Sequence, residues 1–279
     1  MLFCRRPRLL AGAHFVLFVA LLSSISGGAE PALQKSAAKP ASKNVKLPGL
    51  VINLQDRCVD LEATVCLDEG MLELIACTKG SKEHESILAI SAKPMHVHAA
   101  LLLLGAKNGN PAMRRPVDEK QTRWVHVPPR GDRVDVYLVL KNKEGKRTEH
   151  PISDFVTRTE QNPDDITLDS RVGNMNFGKA DKAGEKTKFP HTFLFAGSHL
   201  RDNGSGPRQY LADHSGHVIS IVTYGDELLC LPGMHDKGND SLMWQVVGKK
   251  LPKVGSKVTL RLRPQAKPAV KTDTVLPRD

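Results

Sequence analysis

The 279-residue chain carries 40 Lys and Arg against 30 Asp and Glu, a formal net charge of +10, while aromatic residues make up only 5%. The excess sits at the ends: residues 30–49 hold four lysines against Glu30, and residues 249–279 hold nine Lys or Arg against Asp273 and Asp279, whereas residues 50–248 hold 24 basic and 27 acidic groups. A nucleic-acid binder gathers basic charge on a folded face and interleaves aromatics for stacking, so no nucleic-acid partner is expected; basic ends of this kind suit an anionic envelope polymer or, as the plainer reading, no particular partner.

At the start, Arg5, Arg6 and Arg8 precede the apolar run "LLAGAHFVLFVALL", and Gly27 and Ala29 supply small residues for cleavage. This is the pattern of a secretory signal peptide over residues 1–29. The run falls short of the ~20 apolar residues a spanning helix needs, and no later segment is longer, so no transmembrane helix is expected after cleavage. Cys4 precedes the run, which excludes it as a lipoprotein cysteine. The mature protein is expected to be exported, in the periplasm or associated with the envelope. Residues 30–48, rich in Ala, Lys, Pro and Ser without apolar periodicity, read as a flexible linker, and residues 265–279 read as a disordered basic tail.

The folded region between them, 49–264, opens as β structure. "GLVINL" is a short strand, and "CVDLEATVCL" alternates, with Val59, Leu61, Ala63, Val65 and Leu67 on one face. Asp68 to Gly70 then connects to "MLELIAC", which predicts a hairpin. "SILAI" is a buried strand. "PMHVHAALLLLG" reads as a buried helix over about 93–104, with Pro94 in its first turn and Gly105 just past its end. "DRVDVYLVLKNKEGKRTEHPI" predicts a second hairpin turning at residues 143–145, and "ISDFV" a single helical turn. Residues 157–188 are polar and Gly-rich, a long loop. "HTFLFAGS", "RQYLAD", "HVISIVTY", "ELLCLP" and "KVTLRLRP" predict five further strands. The expected class is α+β: a single β-rich domain of antiparallel hairpins with one prominent helix.

Four cysteines remain after cleavage: Cys58, Cys66, Cys77 and Cys230. Export makes disulfides available, but Cys58 and Cys66 on one strand lie roughly 26 Å apart, too far to bond. In the simplest register Cys66 and Cys77 point to opposite faces, which leaves Cys230 as the one partner not excluded; the plainer reading is buried free thiols packing as small hydrophobes. No CxxC occurs, and the spacing suits neither a zinc knot nor an iron–sulfur cluster.

The densest group of chemical side chains is Lys82-Glu83-His84-Glu85-Ser86, between a strand and the apolar run that follows it. It offers two carboxylates as acceptors, a cation, and an imidazole that titrates near neutrality, with Cys77 upstream as a soft ligand. A divalent metal on His84, Glu83, Glu85 and Cys77, or acid–base chemistry, is the sharp reading; a hydrogen-bonded turn is the plain one. His96 and His98 form a His-x-His pair, but on a helix residues two apart diverge by about 200°, so the pair does not share a face. His98 is the more buried of the two. Ser205, Asp213, His214 and His217 lack the GxSxG turn of a serine hydrolase.

The stretch from Val65 to Pro111, followed by "FAGS" and "YLAD", resembles the YdjY-type domain of exported proteins in planctomycete-like bacteria, from about Val51 to Pro264. Its characteristic pattern falls on Lys82, Glu83, His84, Glu85, Ser86 and His98 to Leu101. The resemblance implies an exported domain and brings no established activity. Some members carry a ferredoxin-like label that the cysteines here do not support, and residues 157–188 exceed the family's usual connection. The expected function is a non-catalytic binding or interaction module of the envelope; the alternative is a metal-binding or acid–base enzyme using the Lys82–Ser86 loop with His98.

Overall fold

The computed structural model describes residues 44–142, 144–159, 188–202, 204–235 and 244–265. The expected signal peptide, most of the linker and of the 157–188 loop, and the basic tail from 266 lie outside these residues.

Nineteen strands and two helices are numbered in chain order. The first half contains β1 (Asn44–Leu47), β2 (Leu50–Asn53), β3 (Cys58–Val65), β4 (Leu74–Thr78), β5 (Ser86–Ile90), α1 (Pro94–Leu103), β6 (Asn108–Asn110), β7 (Met113–Pro116), β8 (Trp124–Val127), β9 (Arg130–Gly131), β10 (Arg133–Lys141) and β11 (Arg147–Pro151). The second contains β12 (Val156–Arg158), β13 (Thr192–Phe195), β14 (Leu200–Arg201), β15 (Gln209–Tyr210), α2 (Leu211–Ser215), β16 (His217–Ser220), β17 (Leu229–Cys230), β18 (Trp244–Val246) and β19 (Lys257–Pro264).

Eight of these strands close into a barrel in the order β3-β19-β10-β13-β17-β16-β4-β5, with β5 returning to β3. This corrects the expected α+β domain of hairpins: the protein is mostly β. The predicted hairpin of β3 and β4 does not form. Instead β5 inserts between them, antiparallel to β3 through Ala63↔Ile90 and Val65↔Leu88, and parallel to β4 through Ala76↔Leu88. That pairing uses up both open edges, which sequence-local reasoning about neighbouring strands cannot see. The first strand also corrects the linker: Asn44–Leu47, within the stretch read as flexible, pairs with Leu50–Asn53.

Alternation fixes which side faces in. Across the register, Leu61, Leu260 and Leu138 form one inward row, and Val59, Leu262 and Val136 the next, all of them 0% exposed. An eight-stranded barrel is just wide enough for side chains to fill, and each such Leu or Val contributes roughly 1.5–3 kcal/mol by leaving water. On the outer face the same strands carry charge. Arg261 meets Asp60 through two bonds of 2.6 Å and Glu149 at 2.5 Å, and Arg263 meets Glu149 at 2.7 Å. These pairs tie β3, β19 and β11 together across the outside of the barrel.

Two strands share one edge of β3: β2 covers Cys58 to Leu61 and β5 covers Ala63 to Val65. The chain turns at Gly49, where φ is +74° and a Cβ would sit 2.6 Å from the backbone nitrogen of Ala92, so only glycine fits the junction. Helix α1 begins at Pro94, as its sequence predicts, and ends before Gly105 in a left-handed conformation. It is less buried than expected: Pro94, Val97, Ala100 and Leu101 face inward, while Met95, Leu102 and Leu103 are exposed. No helix among the described residues is long and apolar enough to cross a membrane.

Candidate functional site

The Lys82–Ser86 segment is the crossover between the parallel neighbours β4 and β5. Parallel strands force the chain to run back along the sheet, and here residues 79–85 do so, ending in a single 3₁₀ turn, Glu83–Glu85. Its polar groups satisfy one another. The Gly80 N–H donates to Glu83 Oε1, Lys82 Nζ meets Glu85 Oε1 at 2.5 Å, and the buried Ser86 hydroxyl donates to the Lys82 carbonyl at 2.7 Å. His84 projects outward, its side chain 74% exposed, with Nε2 3.7 Å from Glu85. Among the described residues no three His, Cys, Asp or Glu side chains converge as a metal ion requires.

Beneath this turn runs a second polar system that sequence reasoning missed. The Tyr224 hydroxyl donates to Glu73 and lies 3.5 Å from Glu85, with Lys82 Nζ 5.4 Å from the centre of its ring. Its ring stacks on His217 at 3.8 Å, and His217 Nδ1 lies 2.6 Å from Asp226 Oδ1. Burial, together with the hydrogen bond to Glu73, pushes the Tyr224 phenol well above its ordinary range and keeps it a donor. Burial works against charge on Asp226, but the bond to His217 outweighs it and holds the carboxyl below its ordinary range.

The thiols depart from expectation too. Cys66 and Cys77 lie on the same face, flanking β5, and their side chains meet, whereas the simplest register had put them on opposite faces. That contact, reinforced at Cys77 by Ser86, the Lys82 N–H and Ser81, lowers the Cys77 thiol and raises Cys66. All four cysteines in the described region are free thiols.

His98 stands elsewhere, at a cleft of about 400 Å³ lined by Met95, His98, Asn108, Gly197, Ser198, His199, Leu200 and Tyr210. Its Nδ1 is 3.1 Å from the Gly197 carbonyl and 2.8 Å from the Tyr210 hydroxyl, which itself donates to that carbonyl at 2.8 Å. A carbonyl only accepts, so this arrangement assigns the proton to Nδ1 and leaves Nε2 as an acceptor. The ring is wedged edge-on against Phe195 and Tyr210, at 4.9 and 5.6 Å between centroids. Burial lowers its pKa below 6.5, only partly offset by the Gly197 carbonyl, so the imidazole is neutral at neutral pH.

Two short motifs build this cleft. In Phe195–Ser198, Gly197 takes φ +89° with Asn108 Cβ 2.7 Å from where a Cβ would stand. Ser198, also left-handed at φ 53°, donates to the Asp226 carbonyl at 2.5 Å and accepts the Ala212 N–H at 3.1 Å. In Tyr210–Asp213, Tyr210 holds His98 and Asp213 accepts the Met95 N–H at 2.8 Å, within the first turn of α1. The sequence "RQYLAD", expected as one strand, is thus a two-residue strand running into α2. His98 shares no bonded partner with the Lys82–Ser86 turn, and of the hydrolase-like group Asp213 serves the helix while His217 serves Asp226. Tyr210, Gly197 and Ser198 lay in quoted motifs, but their role depended on a fold that brings them 99 to 112 residues back to His98.

Residues 50–263, from β2 to the end of β19, match the model of the YdjY domain family. The chain belongs to that family. No curated protein and no solved structure matches it. The YdjY domain thus includes the whole barrel, the crossover turn and the cleft.

Proposed function

We propose that this YdjY domain is the ligand-binding module of an exported protein, and that its ligand seats in the His98 cleft rather than on the Lys82–Ser86 turn. The observation that carries this reading is the fixed ring of His98: neutral, oriented from behind by Gly197 and Tyr210, and offering one unpaired acceptor beside exposed Met95 and Leu200. Clefts that bind small molecules combine apolar walls with a few placed polar groups. The chemistry fits a compound with a hydroxyl or amide donor and an apolar body.

A binding role is favoured over acid–base catalysis by how the neighbouring groups are spent. The Ser198 hydroxyl donates to a carbonyl instead of to an imidazole, and burial raises the Tyr210 phenol far above its ordinary range, so neither is a nucleophile activated by an adjacent base. Apart from the exposed His84, the Lys82–Ser86 side chains bond to one another or to the backbone of the same loop, which supports an architectural role for the turn.

A panel of hydroxyl- and amide-bearing fragments tested by NMR gives the decisive readout. Binders are expected to shift the His98 ring signals and to lose affinity in His98→Gln. Fragments that bind while leaving His98 unmoved, or bind the variant equally well, overturn the assignment. Export is tested separately by fractionating cells that express the chain with and without residues 1–29; recovery of both from the cytosol overturns it.

A further inference from the structure

The hairpin of β7 and β8 pairs with itself alone, as a separate two-stranded sheet. An isolated hairpin is marginally stable in water, yet this one keeps apolar groups in solvent: Val117 is 54% exposed, Trp124 49% and Val125 41%. Its tip is well built. Asp118 accepts from the Thr122 N–H at 2.7 Å and from its hydroxyl at 2.5 Å, and the Trp124 indole N–H donates to the Gln121 carbonyl at 3.0 Å. The indole's one polar atom is thereby satisfied within the turn, leaving its apolar body outward.

The charge of the hairpin is one-sided. Arg114, Arg115, Lys120 and Arg123 stand against Asp118 and Glu119, and Asp118 is occupied by the turn and by Arg123 at 3.6 Å. The register puts Arg114 and His126 on the face of Pro116 and Trp124, and Arg115 on the face of Val125. Both faces therefore combine cationic groups with apolar ones.

We propose that this arm docks the protein onto the surface of an anionic bilayer. A soluble polyanion would use the arginines and leave Val117, Trp124 and Val125 in water. The boundary between headgroups and acyl chains takes both: phosphate for the guanidinium groups, and an interfacial layer where indole rings concentrate. The inference is independent of what the cleft binds.

The test uses the chain from residue 30 onward, which keeps every core residue among the described ones, with phosphatidylglycerol/phosphatidylcholine vesicles beside pure phosphatidylcholine. The chain's only other tryptophan, Trp244, is buried, so a change in emission reports Trp124. Co-flotation with anionic vesicles only, with a blue shift of Trp124, is expected. Arg114→Glu/Arg115→Glu should weaken partitioning about tenfold or more, and Trp124→Ala should weaken it with no change in the thermal midpoint. The proposal is overturned by absence of flotation, by flotation that both variants retain, or by retention on polyphosphate without vesicle binding, which would make the partner a soluble polyanion.

Discussion

The Lys82–Ser86 turn and the His98 cleft are made from similar side chains and differ in what those side chains have left over. In the turn, the main partners lie within a few residues of one another: Glu83 closes on Gly80, Lys82 on Glu85 and Ser86 on Lys82. In the cleft, the partners of His98 come from 99 and 112 residues away and bind only one of its two nitrogens. Density of polar residues along a chain favours mutual satisfaction. Availability for a ligand comes instead from long-range contacts that fix a group without consuming it.

Substitutions rank this contrast. Tyr210→Ala removes a buried ring that walls the cleft, and should cost about 3–5 kcal/mol in urea unfolding and abolish fragment binding. A loss below about 1 kcal/mol would mean that the cleft does not depend on that wall. Tyr210→Phe, which deletes only the hydroxyl, should cost about 1–2 kcal/mol and weaken binding by loosening the His98 ring. Ser86→Ala should cost a comparable amount, since the Lys82 carbonyl loses its buried donor, yet leave fragment binding unchanged. Binding lost in Ser86→Ala would collapse the distinction between the two regions.

The effect of pH sharpens it further. The folded value of His98 lies below the ordinary 6.5, so between the two values the unfolded chain binds a proton that the folded chain refuses. Its contribution to stability is complete above about 6.5 and is lost as pH falls through that window. The difference in unfolding free energy between wild type and His98→Gln should therefore depend on pH there, and a flat difference would argue against a buried, neutral ring. The smallest effect belongs to His84→Ala, expected within about 0.5 kcal/mol of wild type and silent in binding.

What the sequence revealed divides along the same line. Helix α1 was legible from Pro94 and Gly105, strand β3 from its alternation, and the β10–β11 hairpin from apolar runs flanking a turn. Each rests on residues close in sequence. Closure of the barrel was not legible, because it depends on Ala63 to Val65 choosing Leu88 to Ile90 over the nearer Leu74 to Thr78, and both candidates are equally apolar. The meeting of Cys66 and Cys77 follows from the same insertion of β5 and was misjudged for the same reason. His98 was singled out by its apolar surroundings, but its tautomer and its cleft depend on Gly197 and Tyr210, whose motifs read as strands and as marks of the family without a link to His98.

Tyr210 and Asp213 stand one turn apart and grip α1 at two points, the His98 ring and the Met95 N–H. A rod held at one point can pivot; held at two, it can only translate with its mount. Widening the cleft by tilting α1 would break one grip or the other, so any ligand too large for the resting gap must move the Tyr210–Asp213 segment together with the helix. The same segment is bonded through Ala212 and Ser198 to Asp226, whose carboxylate meets His217 in its stack with Tyr224. One chain of hydrogen bonds thus joins the wall of the cleft to His217 and Tyr224.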